Sequence, residues 1–248
     1  MIVYVRYGTR LSGKVDSFAG SYVATRFFHI YYVPLIPLSS WLVLGEDGAS
    51  TRALPTTLDV RSIAAAYLRG VGSIAALVMT FQMFAFFSSP FRSLSWENFV
   101  PELVLPLALI VAAVASWVWL GRLSRDERGK RVVYWDSVGY FVDPARLGDA
   151  RHGLIEKLRK DVVARARALT SAGYREPYDP ENKWRALAAK PSMTDVEYLK
   201  LALTLSRLEW SFASGEHKTQ LARDHQLIFE NLKRADPNAL SPHKYAVK

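Results

Sequence analysis

The sequence predicts an integral membrane α+β protein: a two-helix transmembrane hairpin with a small cytoplasmic β domain and a C-terminal helical domain. Three observations carry that expectation. Two uncharged apolar runs, Gly70–Phe91 (GVGSIAALVMTFQMFAFFSSPF) and Leu103–Gly121 (LVLPLALIVAAVASWVWLG), are separated only by a short polar turn. About 20 apolar residues cross a ~30 Å hydrocarbon core as a helix, which satisfies its own backbone. Residues 1–57 are dense in β-branched and aromatic side chains, as strands are. Residues 149–248 repeat apolar side chains at spacings of three and four, the mark of helices with one buried face.

In residues 1–57, MIVYVRY alternates, and Ser21–Leu44 (SYVATRFFHIYYVPLIPLSSWLVL) is rich in Val, Ile, Phe and Tyr. Pro34 and Pro37 interrupt that run, because proline has no N–H to give a ladder. The expectation is a strand before Pro34, a bend over the two prolines and a returning strand over Ser40–Leu44. Glu46-Asp47-Gly48 marks a turn.

The segment FFHIYYVPLIPLSSWLVL (Phe27–Leu44) resembles the hairpin of small bacterial zinc-ribbon membrane proteins. There an aromatic strand enters an Ile-Pro-Leu-x-Pro turn and cysteine pairs flank the hairpin. Cysteine is absent from this chain. The resemblance therefore implies a ribbon-like β fold held by packing. Tyr7-Gly8-Thr9-Arg10 and Gly45-Glu46-Asp47-Gly48 would stand at the knuckle positions without binding metal.

The membrane hairpin is assigned to residues 58–121, with helices over about 59–91 and 103–121. Asp59 is positioned to cap the first. Gln82, the one strongly polar side chain of the first run, is expected to make an intramembrane polar contact with a neighbouring helix. Pro106 falls in the first turns of the second, where few intrahelical donors are lost. Trp96, Trp117 and Trp119, with Arg61, Arg69, Arg122, Arg125 and Arg128, suit the two interfaces. The excess of Lys and Arg outside the hairpin places both termini in the cytoplasm, at the bacterial inner membrane by expectation. Residues 122–148 read as a basic linker followed by two short strands over Arg131–Asp143, joined at Asp136-Ser137. A two-stranded hairpin is marginal alone, so it is expected to join the N-terminal sheet.

The tail, 149–248, reads as a helical cytoplasmic domain. Leu154, Ile155, Leu158, Val162, Ala166 and Leu169 define one helix, with Gly173 at its end. Thr194-Asp195-Val196-Glu197 is a capping box that opens another, through Tyr198, Leu201, Leu205, Leu208 and Phe212 to Gly215. A third follows at once, through Leu221, Ile228 and Leu232, so the last two pack antiparallel.

The chemistry-bearing motifs are few. The net charge of +9 is spread along the predicted cytoplasmic parts, which fits contact with anionic lipid rather than a nucleic-acid site. The five histidines carry no metal-ligand spacing, and no Gly-rich phosphate loop or Gly-x-Ser-x-Gly elbow occurs. No metal, cofactor or catalytic residue is assigned. A front loop with Arg6, Arg10, Lys14 and Arg26 would suit phosphorylated headgroups, but no nucleophile or base accompanies it. The leading expectation is thus a membrane-anchored, non-enzymatic interaction or scaffold protein, associating with the bilayer and with protein partners or its own copies. Tyr198, Trp210 and Phe212 are its candidate partner-binding anchors. The alternative is a small oligomeric channel or transporter accessory subunit, with Gln82 lining the path.

Overall fold

A computed structural model describes residues 7–30, 33–47, 50–88, 104–171 and 180–241. The chain divides into two compact units. One holds the strands and the apolar helices as far as Arg122. The other holds the helices from Leu123 onward, with the turn residues Phe18–Ser21 grouped with it.

The first unit opens with four strands: β1 (Tyr7–Phe18), β2 (Ser21–Ile30), β3 (Val33–Asp47) and β4 (Ser50–Thr56). They form one antiparallel sheet in sequential order. The two prolines do not split the second half of this region, as the sequence suggested. β3 runs through both, with Phe27 opposite Pro37 and His29 opposite Pro34, and the β2–β3 register shifts twice, between Arg26 and Phe27 and between Phe28 and His29. A bulge at each proline leaves the missing donor outside the regular ladder, so pairing resumes beyond it.

Helix α1 (Val60–Phe87) follows. Asp59 caps it as its position indicated, its Oδ1 accepting from the Ser62 N–H at 2.9 Å. The first turns of α1 lie against the sheet: Phe27, fully buried, meets Tyr67 edge to face at 5.6 Å, and the Tyr67 hydroxyl donates to the Leu35 carbonyl at 2.7 Å.

Beneath this contact runs a chain of buried hydroxyls. Ser62 Oγ donates to the Gly13 carbonyl at 2.8 Å, and Thr25 Oγ1 donates to Ser62 Oγ at 2.9 Å. Thr25 has then spent its proton, so Ser40 Oγ is the donor in the 2.8 Å Thr25–Ser40 contact, while it accepts from the Asp59 N–H at 2.9 Å. Gly13, at φ +71°, approaches so closely that a Cβ there would stand 1.9 Å from the Ser62 carbonyl oxygen. Only glycine fits.

The expected pair of membrane-spanning helices is overturned. Among the described residues one helix, over Val60–Gln82, is long and apolar enough to cross a bilayer, and by length and composition alone. The second apolar run gives α2, Leu105–Val118, of 14 residues. At 1.5 Å per residue that is about 21 Å, short of a ~30 Å core. Pro106 sets its start, and a turn over Trp119–Gly121 ends it. α2 packs beside α1 in the opposite direction, the Arg69 guanidinium of α1 reaching the Ser116 and Leu120 carbonyls at the far end of α2.

The second unit is helical: α3 (Arg125–Val138), α4 (Ala150–Ser171), α5 (Pro180–Ala189), α6 (Val196–Trp210) and α7 (Gly215–Ala235). The strands expected over Arg131–Asp143 are not there. Ser124 caps α3 by accepting from the Glu127 N–H at 3.1 Å, Asp126 and Glu127 sit in its first turn, and Gly139 closes it at φ +78° in the left-handed region. Being helical, the segment adds no strand to the N-terminal sheet.

α6 is the axis of this unit. Asp195 caps it, accepting from the Tyr198 N–H at 2.7 Å, and nearly every side of it is buried, against α3, α4, α5 and α7. Leu158, Val162 and Ala166 of α4, Trp184 and Leu187 of α5, and Ile228, Phe229 and Leu232 of α7 close the core around it. α6 ends at Trp210, and Gly215 starts α7 rather than ending its predecessor.

Candidate functional site

Two surfaces gather the residues that the sequence singled out. On the first unit, α1 carries no charge between Val71 and Phe87. Ile74, Leu77, Val78, Phe81 and Phe84 all face outward, Phe84 with 72 % of its surface accessible. On α2, Leu107, Val111, Val114 and Trp117 do the same.

Arg69 ties this pair of helices together. Its Nε and Nη2 donate to the Ser116 carbonyl at 3.2 and 3.1 Å, Nη2 also reaches the Leu120 carbonyl, and Nη1 donates to the Lys14 carbonyl of β1 at 2.7 Å. A guanidinium over the last carbonyls of a helix satisfies acceptors that have no intrahelical donor and complements the negative end of its dipole. The Trp117 ring lies 5.3 Å from the Arg69 Cζ. Arg69 was expected among lipid headgroups; its hydrogen bonds are to the protein's own backbone.

The other expected interfacial residues are on the surface. Arg61, Arg122, Arg125 and Arg128 are exposed, as are Trp117 and Trp119, the latter with 73 % of its surface accessible. Trp96 lies outside the described residues. Gln82 is exposed on α1.

On the second unit the three candidate anchors separate. Tyr198 is wholly buried, its hydroxyl donating to the Trp184 carbonyl at 2.7 Å; it builds the core and presents nothing to a partner. Trp210 and Phe212 lie near the surface where α6 gives way to α7. The Trp210 ring has the Arg207 Cζ and the Lys218 Nζ each 4.3 Å from its centroid. Phe212, 46 % accessible, meets the His152 ring edge to face at 4.9 Å and has the Arg151 Cζ 4.7 Å from its centroid. Cations over aromatic faces at such distances are favourable by about 0.5–1 kcal/mol each when exposed.

Arg207 is itself fixed. Its Nε donates to both carboxylate oxygens of Asp143, at 2.9 and 3.1 Å, and its Nη2 also bonds Oδ2. Burial alone would raise the Asp143 carboxyl; the Arg207 guanidinium reverses this and holds it below the usual carboxylate range. The neighbouring Tyr134 phenol is pushed well up by burial, and the Asp143 charge adds to the effect.

The cations around Trp210 and Phe212 are only partly signalled by the sequence. Arg207 precedes Trp210 by three residues, one turn along a helix, and that spacing was a usable signal. Arg151, His152 and Lys218 come from other helices, and no local pattern announces them. Among the described residues, no group of three or more His, Asp or Glu side chains is placed to hold a metal ion. No protein-family model matches the chain, and no curated protein or solved structure matches it.

Proposed function

We propose that this chain is a membrane-associated, non-enzymatic interaction protein, in which α1 meets lipid and the helical unit meets a protein partner. The outward apolar face of α1 carries the reading. Five large side chains, Ile74, Leu77, Val78, Phe81 and Phe84, are exposed on one uncharged stretch. Each Å² of such surface left in water costs about 25 cal/mol, and contiguous apolar patches of this kind mark interaction surfaces. Hydrocarbon removes that cost without a matching protein groove. Arg61, Trp117, Trp119 and Arg122 suit the polar boundary of the same layer. The proposal needs one lipid-facing helix and no second span. On the other unit, Trp210 and Phe212, with cations beside them, suit an aromatic-anchored contact with an acidic segment of a partner.

The test uses the full chain, mixed with phosphatidylcholine vesicles during detergent removal. It should float with the vesicles and resist high salt, whereas Leu77→Glu with Phe81→Glu should leave it in the aqueous fractions. A wild-type chain that stays monodisperse in detergent-free buffer and leaves the vesicles in salt contradicts the reading. Cross-linking of a captured partner should likewise drop in the Trp210→Ala, Phe212→Ala double variant.

A further inference from the structure

Three cations from separate parts of the first unit meet at one end of its apolar helix pair. Arg69 lies on α1 two residues before the exposed Val71, where the uncharged stretch begins. Its Nη1 donates to the Lys14 carbonyl at 2.7 Å, which brings β1 to this level. The end of α2 arrives at the same place. The Gly121 carbonyl accepts from the Asp16 N–H at 3.0 Å. Gly121, at φ +94°, also passes so near Val15 that a Cβ on it would stand 2.8 Å from the Val15 Cα. Arg122 follows directly and is exposed, as are Lys14, Trp117 and Trp119.

The charge of this collar is one-sided. Arg69 gives its N–H groups to the Lys14, Ser116 and Leu120 carbonyls, neutral acceptors that leave its charge uncancelled. The Lys14 ammonium stands 3.7 Å from the centroid of the Tyr22 ring, and that contact also leaves its charge in place. Among the described residues, no carboxylate forms an ion pair with Lys14, Arg69 or Arg122. Asp16, the acidic residue of this part of β1, is almost wholly buried. Counting it in full still leaves the collar positive.

We propose that this collar binds anionic phospholipid headgroups, so that the chain prefers a negatively charged bilayer to a zwitterionic one. The inference rests on the lipid contact of α1 and adds to it the class of lipid. The geometry sets the level. With the outward side chains beyond Val71 in hydrocarbon, Trp117 and Trp119 lie at the boundary where indole rings settle. Lys14 and Arg122 stand at the same level, beside the headgroups, and their apolar stems cover hydrocarbon while their charges stay wet. An acidic protein surface matches the charge alone. It does not match the uncharged helix that starts beside it, Val71–Phe87, about 25 Å long. Arg69 is a positioning residue here, since it holds β1 and the end of α2 together. Each Lys or Arg near an anionic leaflet strengthens binding about fivefold, so the two exposed cations supply about thirtyfold.

The experiment offers the full chain a choice. It is diluted out of nonionic detergent into equal amounts of two vesicle populations, one of phosphatidylcholine and one of phosphatidylcholine doped with phosphatidylglycerol. Only the charged population carries dense sucrose, so centrifugation separates the two. The wild-type chain should favour the charged vesicles at least about tenfold at low salt, and high salt should erode the preference. Lys14→Gln with Arg122→Gln should reduce the preference to no more than about twofold, with total recovery on vesicles unchanged. Lys14→Arg with Arg122→Lys, which keeps both charges, should retain it. So should Lys157→Gln with Arg223→Gln, which removes the same charge from exposed positions of the other unit. Equal partition of the wild-type chain overturns the collar and leaves the α1 contact standing. A preference that survives the Lys14–Arg122 change, or that the Lys157–Arg223 change removes as fully, overturns it too. Recovery with neither population overturns the α1 contact itself, and the collar with it.

Discussion

His225 makes the helical unit sensitive to mild acid, and the effect has a computable size. The ring is buried on α7, its Nδ1 2.8 Å from Ser206 Oγ. Ser206 gives its own proton to the Leu203 carbonyl at 2.8 Å, so the network assigns the ring proton to Nδ1 and leaves Nε2 unprotonated. A second proton must enter a buried site that also faces Lys130 and Arg207, with Asp143 and a hydrogen bond to the Leu203 backbone acting in the opposite sense. Burial first, and those two cations next, depress the imidazole from 6.5 to about 3. The unfolded chain protonates its imidazole near 6.5 and the folded chain does not, so stability is intact above that value. It falls at about 1.4 kcal/mol per pH unit as the pH drops towards 3. Between pH 7 and pH 5 the loss is about 2 kcal/mol, roughly 4–8 °C in Tm for a chain of this size. Asp143 is depressed in the opposite setting: its contribution is held above the ordinary carboxylate value and is lost only below it, outside this window. Urea unfolding of the full chain in detergent, followed by far-UV circular dichroism at both pH values, measures the difference. His225→Asn keeps a donor near Nδ1 but cannot titrate, so its midpoint should move much less than that of wild type. Equal acid shifts in the two proteins, or none in wild type, would refute the assignment.

Gly13→Ala should destabilise the first unit by 3 kcal/mol or more, since its Cβ would lie 1.9 Å from a carbonyl oxygen at a positive φ; thermal melts against wild type measure it. Ser62→Ala leaves the Gly13 carbonyl and the Thr25 hydroxyl without their buried partner and should cost about 2–3 kcal/mol, readable as faster hydrogen exchange at the start of α1. Arg207→Gln strands the Asp143 carboxylate and should cost about 3–5 kcal/mol at neutral pH, with part of the loss recovered in the Asp143→Asn double variant. Arg69→Lys should only partly replace its parent, because one ammonium cannot reach the three carbonyls of Lys14, Ser116 and Leu120 together; faster proteolysis at the end of α2 is the readout.

Where the sequence could be read directly, the determinant was local. Asp59 marks the start of α1 because an N-cap depends only on the next three residues, and the Thr194–Glu197 box places the start of α6 to within one residue, although the capping side chain is Asp195 rather than Thr194. The apolar spacing in α4, α6 and α7 likewise placed their buried faces, Leu158, Leu205 and Ile228 among them. Misreadings came where composition and context point in opposite directions. Val132, Val133, Tyr134 and Trp135 have strand-forming side chains, yet Ser124 and Gly139 bound them as a helix, and tertiary burial overrides propensity. Pro34 and Pro37 were read as breaks, whereas bulges carry the ladder past them. Periodicity puts Tyr198 on an apolar face but does not show how many helices cover that face; α6 is covered on nearly all sides, which makes Tyr198 a core residue rather than an anchor.

The two units differ in where their large apolar side chains lie, and this bears on the proposed lipid contact more than either apolar run does. In the helical unit the large apolar side chains lie mostly inside, with Thr204, Ser206, His225 and Asn231 buried among them, and Arg159, Lys160 and Arg167 of α4 are exposed, the arrangement water imposes. In the first unit Thr25, Ser40, Ser62 and Ser116 are fully or almost fully buried, while Leu77, Phe81 and Phe84 are outside. The hydroxyls tolerate burial because each finds its partner within the protein, in the chain from Gly13 to Asp59 and in the Ser116-to-Ala113 bond of 2.6 Å. Arg69 does the same for backbone acceptors that α2 leaves open. A surface whose buried hydroxyls are answered internally at its sheet-facing end, and whose far end is uncharged and shows mostly hydrocarbon side chains with Gln82 among them, gains little from water there. It gains from a medium that asks for no hydrogen bonds, and lipid is such a medium.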